Sequence, residues 1–339
     1  IPGKPLSGGQ QGGIPMEEMD AYVQDILDLI EYANGDPKKN KWAKMRAEAG
    51  HPKPFNLKYI GIGNEDLITP IFEERFEMIF KAVKEKYPEI TVIGTVGPFY
   101  EGTDYEAGWK FATCLNVPMV DEHYYNTPGW FINNQDYYDR YDRTKPKVYL
   151  GEYAAHLPGC PNNIETALVE ALYLTSVERN GDIVSMTSYA PLLAKEGHTQ
   201  WNPDLIYFNN REVKPTVGYY TQLLYGQNSG DSYLPADRKI DNPRQDVQKR
   251  IGTSVVRDSK TGDWIVKLVN LLPVPVKAKV EGLTPVENGK VVLQVLSGKP
   301  TDKNARPVKK EITMAELSQY EMPAYSLNVI RVKVAGTKK

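Results

Sequence analysis

The sequence has 339 residues, enough for one large domain with a small one or for two of medium size. A quarter of them are charged and the net charge is −2, so no basic face or acidic tail argues for nucleic acid, a membrane surface or a polyanion as partner. There is no apolar run of about eighteen residues and no charged-then-apolar leader, so nothing reads as a membrane span or a signal peptide. The first residue is Ile1 rather than Met, which suggests a cut or processed chain and leaves a secreted or periplasmic origin open. Its 22 tyrosines and 5 tryptophans are flat amphipathic rings of the kind a neutral, hydroxyl-rich ligand stacks against. Cys114 and Cys160 cannot make a disulfide framework, and neither has a metal-ligand neighbour in sequence.

Residues 1–15 have loop composition, with Ser7-Gly8-Gly9 and Gln10-Gln11-Gly12-Gly13. Met19, Tyr22, Val23, Ile26, Leu27, Ile30 and Ala33 then recur at helical spacing, and Asn34-Gly35 closes the helix as a glycine cap does. Residues 36–56 read as a long loop or a short helical piece. A strand, helix, strand rhythm begins at Lys58. The strand over 58–64 leads to Thr69-Pro70, a cap followed by proline at the first helical position, and to Phe72, Phe76, Ile79, Phe80 and Val83 on one face. Further strands are expected over 90–96, 119–125, 147–153 and 182–189, with helices at 104–115, 134–142, 162–180 and, after a long loop, 215–226. Repeats of about thirty residues are βα units of a parallel sheet, and five in a row favour a barrel over an open sheet.

After Gly226 the helical period is lost. Residues 251–256, 264–270, 274–280, 290–295 and 326–334 alternate as antiparallel strands do, a small β-sandwich. The expected domains are therefore 1–228, an α/β barrel portion, and 229–339, all β, divided near Gly226-Gln227-Asn228-Ser229-Gly230.

Two of the expected strands end alike: Ile60-Gly61-Ile62-Gly63-Asn64-Glu65 and Tyr149-Leu150-Gly151-Glu152. In a parallel barrel the carboxyl ends of the strands are where chemistry is done, so a glutamate on each is a candidate acid and nucleophile. Either glutamate alone reads more simply as a solvated loop carboxylate; the pair is harder to dismiss. Gly61-Ile62-Gly63 is not a dinucleotide fingerprint, because Asp66 stands where the third glycine belongs.

Gly-x-Gly-Asn-Glu at 61–65, His123-Tyr124-Tyr125, Gly151-Glu152-Tyr153 and the terminal strand from Ala324 to Val332 together resemble glycoside hydrolase family 51, the α-L-arabinofuranosidases. The likeness extends to Pro15–Gly35, Val120–Thr127 and Trp201–Phe208. It implies a (β/α)8 TIM barrel followed by a β-sandwich, and a retaining glycosidase that releases terminal α-L-arabinofuranosyl units from arabinan, arabinoxylan or related side chains, with no cofactor and no metal. Glu65, at the end of barrel strand four, would protonate the leaving oxygen, and Glu152, ending strand seven, would attack the anomeric carbon. Retention asks that two such carboxyls lie about 5–5.5 Å apart. Asn64 would bond the sugar 2-hydroxyl, His123 and Tyr125 would orient the nucleophile, and Trp201, Asn202 and Asp204 fall in the loop that closes the pocket. Asp66, Asp121 and Glu122 are left as surface or supporting carboxylates.

Counting back from strand four, the helix over 16–34 follows strand three, so strands one to three are absent from the sequence. Five strands leave an open barrel with an exposed edge. The expected partners are thus an arabinofuranosyl-containing saccharide, the N-terminal remainder of the same protein and, as a further possibility, a second copy. Without that remainder, weak hydrolysis or none is expected. Alternatives are an endoglucanase or β-xylosidase of the same barrel clan, and a carbohydrate-binding fragment whose glutamates are idle.

Overall fold

A computed structural model describes residues 13–283 and 291–334. The loop expected at the N-terminus lies mostly outside the described residues, as does the strand start at Lys290. In chain order the elements are α1 (Met19–Asn34), α2 (Lys41–Glu48), β1 (Tyr59–Ile62), α3 (Pro70–Lys86), β2 (Thr91–Thr95), α4 (Thr103–Leu115), β3 (Met119–Asn126), α5 (Pro128–Asn133), β4 (Lys147–Ala155), α6 (Ile164–Arg179) and β5 (Val184–Thr187). Then come β6 (Leu193–Lys195), β7 (Ile206–Phe208), β8 (Val213–Pro215), α7 (Val217–Gln227), β9 (Ser232–Tyr233), α8 (Gln245–Gln248), β10 (Ile251–Arg257), β11 (Asp263–Asn270) and β12 (Val276–Ala278). The chain ends in β13 (Val291–Ser297), β14 (Val308–Ile312), α9 (Met314–Ser318), β15 (Tyr320–Met322) and β16 (Ser326–Lys333).

The described residues fall into two compact units. One holds the chain up to Tyr124 with 142–151 and 185–187; the other holds 125–141, 152–184 and everything from Ser188 on.

The first unit is built on a five-stranded sheet in the order β1-β2-β3-β4-β5, with β1–β2 and β2–β3 parallel. Strand order follows chain order because each strand is returned by a helix, the right-handed βα winding of a barrel wall. Helix α3 starts where its signature says: the Thr69 hydroxyl accepts from Phe72 N at 3.2 Å, Pro70 sits at the first position, and Phe72, Phe76, Ile79, Phe80 and Val83 are buried. Gly94 in β2 has no room for a side chain, because a Cβ there would lie 2.8 Å from the Phe76 ring. Helix α1 buries Met19, Ile26, Leu27, Ile30 and Ala33. Its end differs from expectation. Gly35 is extended, not left-handed, and glycine is needed because a Cβ would meet Glu31 O at 2.6 Å and Ala43 Cβ at 3.1 Å. The carbonyls freed there go to buried Arg46 of α2, which donates to Tyr32 O, Ala33 O, Gly35 O, His51 O and Pro52 O.

The second unit is organised around α6. It is apolar on all sides, with every residue from Ile164 to Val177 but Glu165 buried, as a helix enclosed by protein must be. Asn163 and Thr166 form a capping box at its start. On one side lies α7, where Thr221 Oγ1 donates to Ala167 O and Tyr225 Oη to Ala171 O. Against another side lies β10, whose Gly252 leaves space for Leu172 and Thr175. Beyond it are an antiparallel six-stranded sheet, ordered β14-β13-β16-β11-β10-β9, and the ribbon β12-β15. Leu268, Leu293, Ile330 and Val332 from the sheet pack with Met322, Val276 and Ala278 of the ribbon, the core of a β-sandwich.

Three expectations need correction. The helix expected at 134–142 lies earlier, as α5, with only a 3-10 turn at Tyr138–Arg140 behind it. Its start is Thr127-Pro128, the same cap-proline pair that opens α3. The loop after β5 contains a three-stranded sheet, β6-β7-β8, too short for periodicity to reveal. The all-β segment also includes β14, α9 and β15, which the expected strand set omits.

Candidate active site

Glu65 belongs to a tight turn at the carboxyl end of β1. Gly63 has φ 81° and Glu65 itself φ 55°, a left-handed conformation uncommon for a side chain with a Cβ. A Cβ on Gly63 would meet Thr95 Cγ2 at 2.7 Å and Asp66 Oδ2 at 2.8 Å, so the turn closes only with glycine. Buried Asp66 accepts from Asn64 N at 3.0 Å, and Thr95 Oγ1 accepts from Glu65 N at 3.1 Å and Gly97 N at 3.3 Å. These bonds hold the turn, consistent with a conformation maintained by its surroundings. Asn64 presents its side chain to solvent.

The Glu65 side chain, 34% exposed, bonds through Oε1 to Nδ1 of buried His123 at 2.9 Å. His123 Nε2 in turn lies 3.2 Å from Asp121 Oδ2. Period two along β3 puts Asp121, His123 and Tyr125 on one side of the strand and Glu122 on the other, where it accepts from Trp109 Nε1 of α4 at 3.0 Å. Asp121 is pressed against β4: a Cβ on Gly151 would fall inside its carboxylate. Asp66 and Glu122 are buried and Asp121 is partly so, so none of the three is a surface carboxylate.

Glu152 stands on β4 itself, directly after Gly151. Tyr125 Oη donates to Glu152 Oε2 at 2.5 Å. The Tyr125 ring stacks on His156, centroids 5.2 Å apart and planes at 19°, and His156 N donates to Asn126 O at 2.8 Å. Burial lowers the basicity of His156, so a neutral imidazole backs the phenol.

The loop between β6 and β7 carries the remaining expected residues. Trp201 is 62% exposed, and its backbone is folded onto Thr199 Oγ1. Asn202 is exposed and accepts from Tyr207 Oη at 3.3 Å. Asp204 differs: it is 1% exposed, its amide donates to Tyr207 Oη at 3.0 Å, and burial raises its pKa against the pull of Tyr207 and Thr199. Of the three expected residues in this loop, Trp201 and Asn202 are thus exposed and Asp204 is inside it. The sequence reading left Asp121 open between a surface and a supporting carboxylate, and its place behind His123, two residues on along the same strand face, is the second of these. The reading missed His156, for which no sequence pattern gave a sign.

A sheet of successive βα strands with a glutamate toward the carboxyl end of two of them, followed by an antiparallel sandwich, is part of a (β/α)8 TIM barrel with a C-terminal β domain. Residues 6–143 match the α-L-arabinofuranosidase 1 domain, and residues 137–330 match the α-L-arabinofuranosidase C-terminal domain. The chain belongs to the α-L-arabinofuranosidases of glycoside hydrolase family 51. It is 48% identical over 215 residues to an extracellular exo-α-L-arabinofuranosidase of Streptomyces chartreusis, covering 63% of this chain and 26% of that protein. It is 33% identical over 219 residues to α-L-arabinofuranosidase 2 of Arabidopsis thaliana, covering 64% and 31%. Among solved structures, an arabinose-bound family 51 α-L-arabinofuranosidase superposes with a TM-score of 0.78 at 27% identity, over 96% of this chain and 53% of that one. The arabinose complex of the Thermotoga maritima enzyme, at 16% identity and TM-score 0.68 over 92% and 73%, shares the fold. The chain thus spans about a quarter to a third of the curated relatives and about half of the first of these structures. Among the described residues no helix is long and apolar enough to cross a membrane.

Proposed function

We propose that the protein is a retaining exo-acting α-L-arabinofuranosidase in which Glu152 is the nucleophile and Glu65 the acid and base. The observation that carries the reading is that the two glutamates stand toward the carboxyl ends of two strands of one sheet and that each bonds a backed side chain: His123, with Asp121 behind it, for Glu65, and Tyr125, with His156 behind it, for Glu152. In the first step the Glu152 carboxylate attacks the anomeric carbon while the Glu65 carboxyl proton passes to the departing glycosidic oxygen. In the second, Glu65 takes a proton from water, which attacks the same carbon and returns Glu152 as a free carboxylate.

Asn64, with its side chain open to solvent beside Glu65, is assigned to the sugar 2-hydroxyl. Trp201 and Asn202 are assigned to the sugar or its aglycone, and Asp204 to holding their loop. The substrate class is arabinofuranosyl side chains of arabinan or arabinoxylan, and the compartment extracytoplasmic, as the name of the Streptomyces relative supports. The domains are proposed as 1–228 and 229–339. The test is release of 4-nitrophenol from its α-L-arabinofuranoside, by this chain and by a longer chain carrying it, each with its Glu152→Ala variant. Turnover abolished by the substitution with saccharide binding retained supports the reading; turnover that survives in the variant sinks it. Aryl xylosides and glucosides assayed alongside separate the clan relatives.

A further inference from the structure

Behind Glu152 lies a second carboxyl group that the proposed chemistry does not use. Glu170, in the middle of α6, is fully buried, and its Oε1 accepts from the backbone amide of Ala155 at 3.0 Å. Ala155 is the last residue of β4, three beyond Glu152. Tyr153, the residue after Glu152, is also buried, and its hydroxyl donates to Gln222 Oε1 of α7 at 2.9 Å. Gln222 faces Glu170 as well. The carboxyl-terminal end of β4 is thus held at two points, by α6 and by α7, and the two holdfasts meet.

The groups around Glu170 are the Ala155 amide, the Gln222 amide and the phenol of Tyr189 beyond β5, which in turn is near the Tyr153 phenol. No lysine, arginine or histidine among the described residues pairs with it. A carboxylate in that setting would be a buried charge with one good hydrogen bond, which burial strongly disfavours. Burial accordingly pushes Glu170 up to about 8, against the two amides that favour its charged form. Glu170 Oε2 and Gln222 Nε2 are both buried and make no well-formed bond with any described group. A neutral acid removes that mismatch. With the Gln222 amide turned over, which exchanges two atoms alike in size, the Glu170 O–H donates to the Gln222 carbonyl and the Gln222 amide donates to the Tyr153 oxygen. When Glu170 ionises the amide must turn back, and the hydrogen bond to Tyr153 reverses its direction.

We propose that Glu170 is a positioning residue for Glu152: as a neutral acid it ties the end of β4 to α6 and α7 through Ala155, Gln222 and Tyr153, and ionisation loosens that tie. The proposal rests on the assignment of Glu152 as nucleophile, and its regulatory consequence is a loss of activity in alkali that does not arise from Glu65.

The experiment compares wild type, Glu170→Gln and Glu170→Ala in the protein, following kcat/KM for a dinitrophenyl α-L-arabinofuranoside from about pH 6 to about pH 10. This leaving group departs without protonation, so the state of Glu65 does not limit the step. Glutamine mimics the neutral acid: Glu170→Gln should keep kcat/KM within about threefold of wild type near neutrality and lose the alkaline decline, whereas Glu170→Ala should lower kcat more than tenfold with KM little changed. A Glu170→Gln profile that falls in alkali as the wild type does overturns the proposal. Thermal stability against pH gives a second arm that needs no turnover. The folded-state pKa is raised above the ordinary value of 4.5, so wild-type stability should fall as pH rises from there to about 8 and then level, and Glu170→Gln should lack that fall. Parallel stability curves overturn the neutral tie. Diverging curves with no arabinofuranoside turnover in any variant of the longer chain would uphold the tie and reject the hydrolase reading instead.

Discussion

Glu65 and Glu152 both stand toward the carboxyl ends of strands of one sheet, yet the protein holds them by opposite means. Glu65 sits on a left-handed turn and bonds an imidazole with a carboxylate behind it, groups that can give and take protons. Glu152 sits within a regular strand, and its phenol partner is backed by a neutral imidazole, while the strand end beyond it is tied by amides and a buried acid. The difference follows from the work asked of each. An acid that becomes a base must change its proton twice in a turnover, so it needs ionisable company. A nucleophile must be aimed at one carbon, and aim comes from rigid, fully bonded surroundings.

The sharpest way to break this comparison is to exchange leaving groups. Glu152→Ala should cost about ten-thousandfold or more in kcat on every arabinofuranoside, because no covalent intermediate forms without it. Glu65→Gln should cost about a hundred- to ten-thousandfold in kcat/KM on alkyl or sugar aglycones and little on a dinitrophenyl glycoside, which needs no proton. If the two variants lose equally on both substrates, the division of labour is wrong.

Next in size is the anchorage of α6, the helix behind Glu152. Lys267 of β11 is fully buried and donates to Glu178 Oε1 at 2.5 Å and to Asn228 O at 2.6 Å, while Ser254 donates to Glu178 Oε2. Burial raises the pKa of Glu178 and lowers that of Lys267, each opposed by the other's charge. Lys267→Met leaves a buried carboxyl without its cation and should cost about 3–5 kcal/mol in urea unfolding. A double variant that also carries Glu178→Leu should recover most of this loss, since an apolar pair of similar volume is often neutral.

Smaller again is the effect of Asp121. Asp121→Asn keeps the shape under Gly151 but puts an amide where His123 Nε2 met a carboxylate, so the imidazole is free to take the other tautomer toward Glu65. About a tenfold loss in kcat/KM is expected on alkyl aglycones, confined to them if Asp121 acts only through His123 and Glu65. An equal loss on the dinitrophenyl glycoside would place Asp121 with Glu152 instead.

The barrel wall and the sandwich were legible in sequence because long periodic runs and strong caps mark them, as Thr69-Pro70 and Phe72–Val83 do for α3. Both glutamates were legible because each closes such a run. The misses have local causes. Thr127-Pro128 opens α5 with the same signature as α3, but only a few aromatic residues follow, too few to show a helical period. Strands β6, β7 and β8 have three residues each, shorter than any alternation can identify. Gly35 looked like a left-handed cap, and its role is clearance for Glu31 O, a contact fixed by the fold rather than by its neighbours in sequence. Glu170 was hidden for the same reason: a glutamate within an apolar helix says nothing of the Ala155 amide it meets from another element.

The smallest change tests whether the turn of Glu65 can be disturbed without touching Glu152. Thr95→Val preserves volume and the methyl that packs near Gly63, and removes only the hydroxyl that accepts from Glu65 N and Gly97 N. Two amides lose their acceptor, and a net destabilisation of about 1–2 kcal/mol follows if water cannot reach them. Because Glu65 N is one of those amides, the left-handed turn should relax first, and kcat/KM on alkyl arabinofuranosides should fall several times further than on the dinitrophenyl glycoside. Equal losses on both would mean that the turn and β4 move together, so that the separate supports of the two glutamates are not separate in energy.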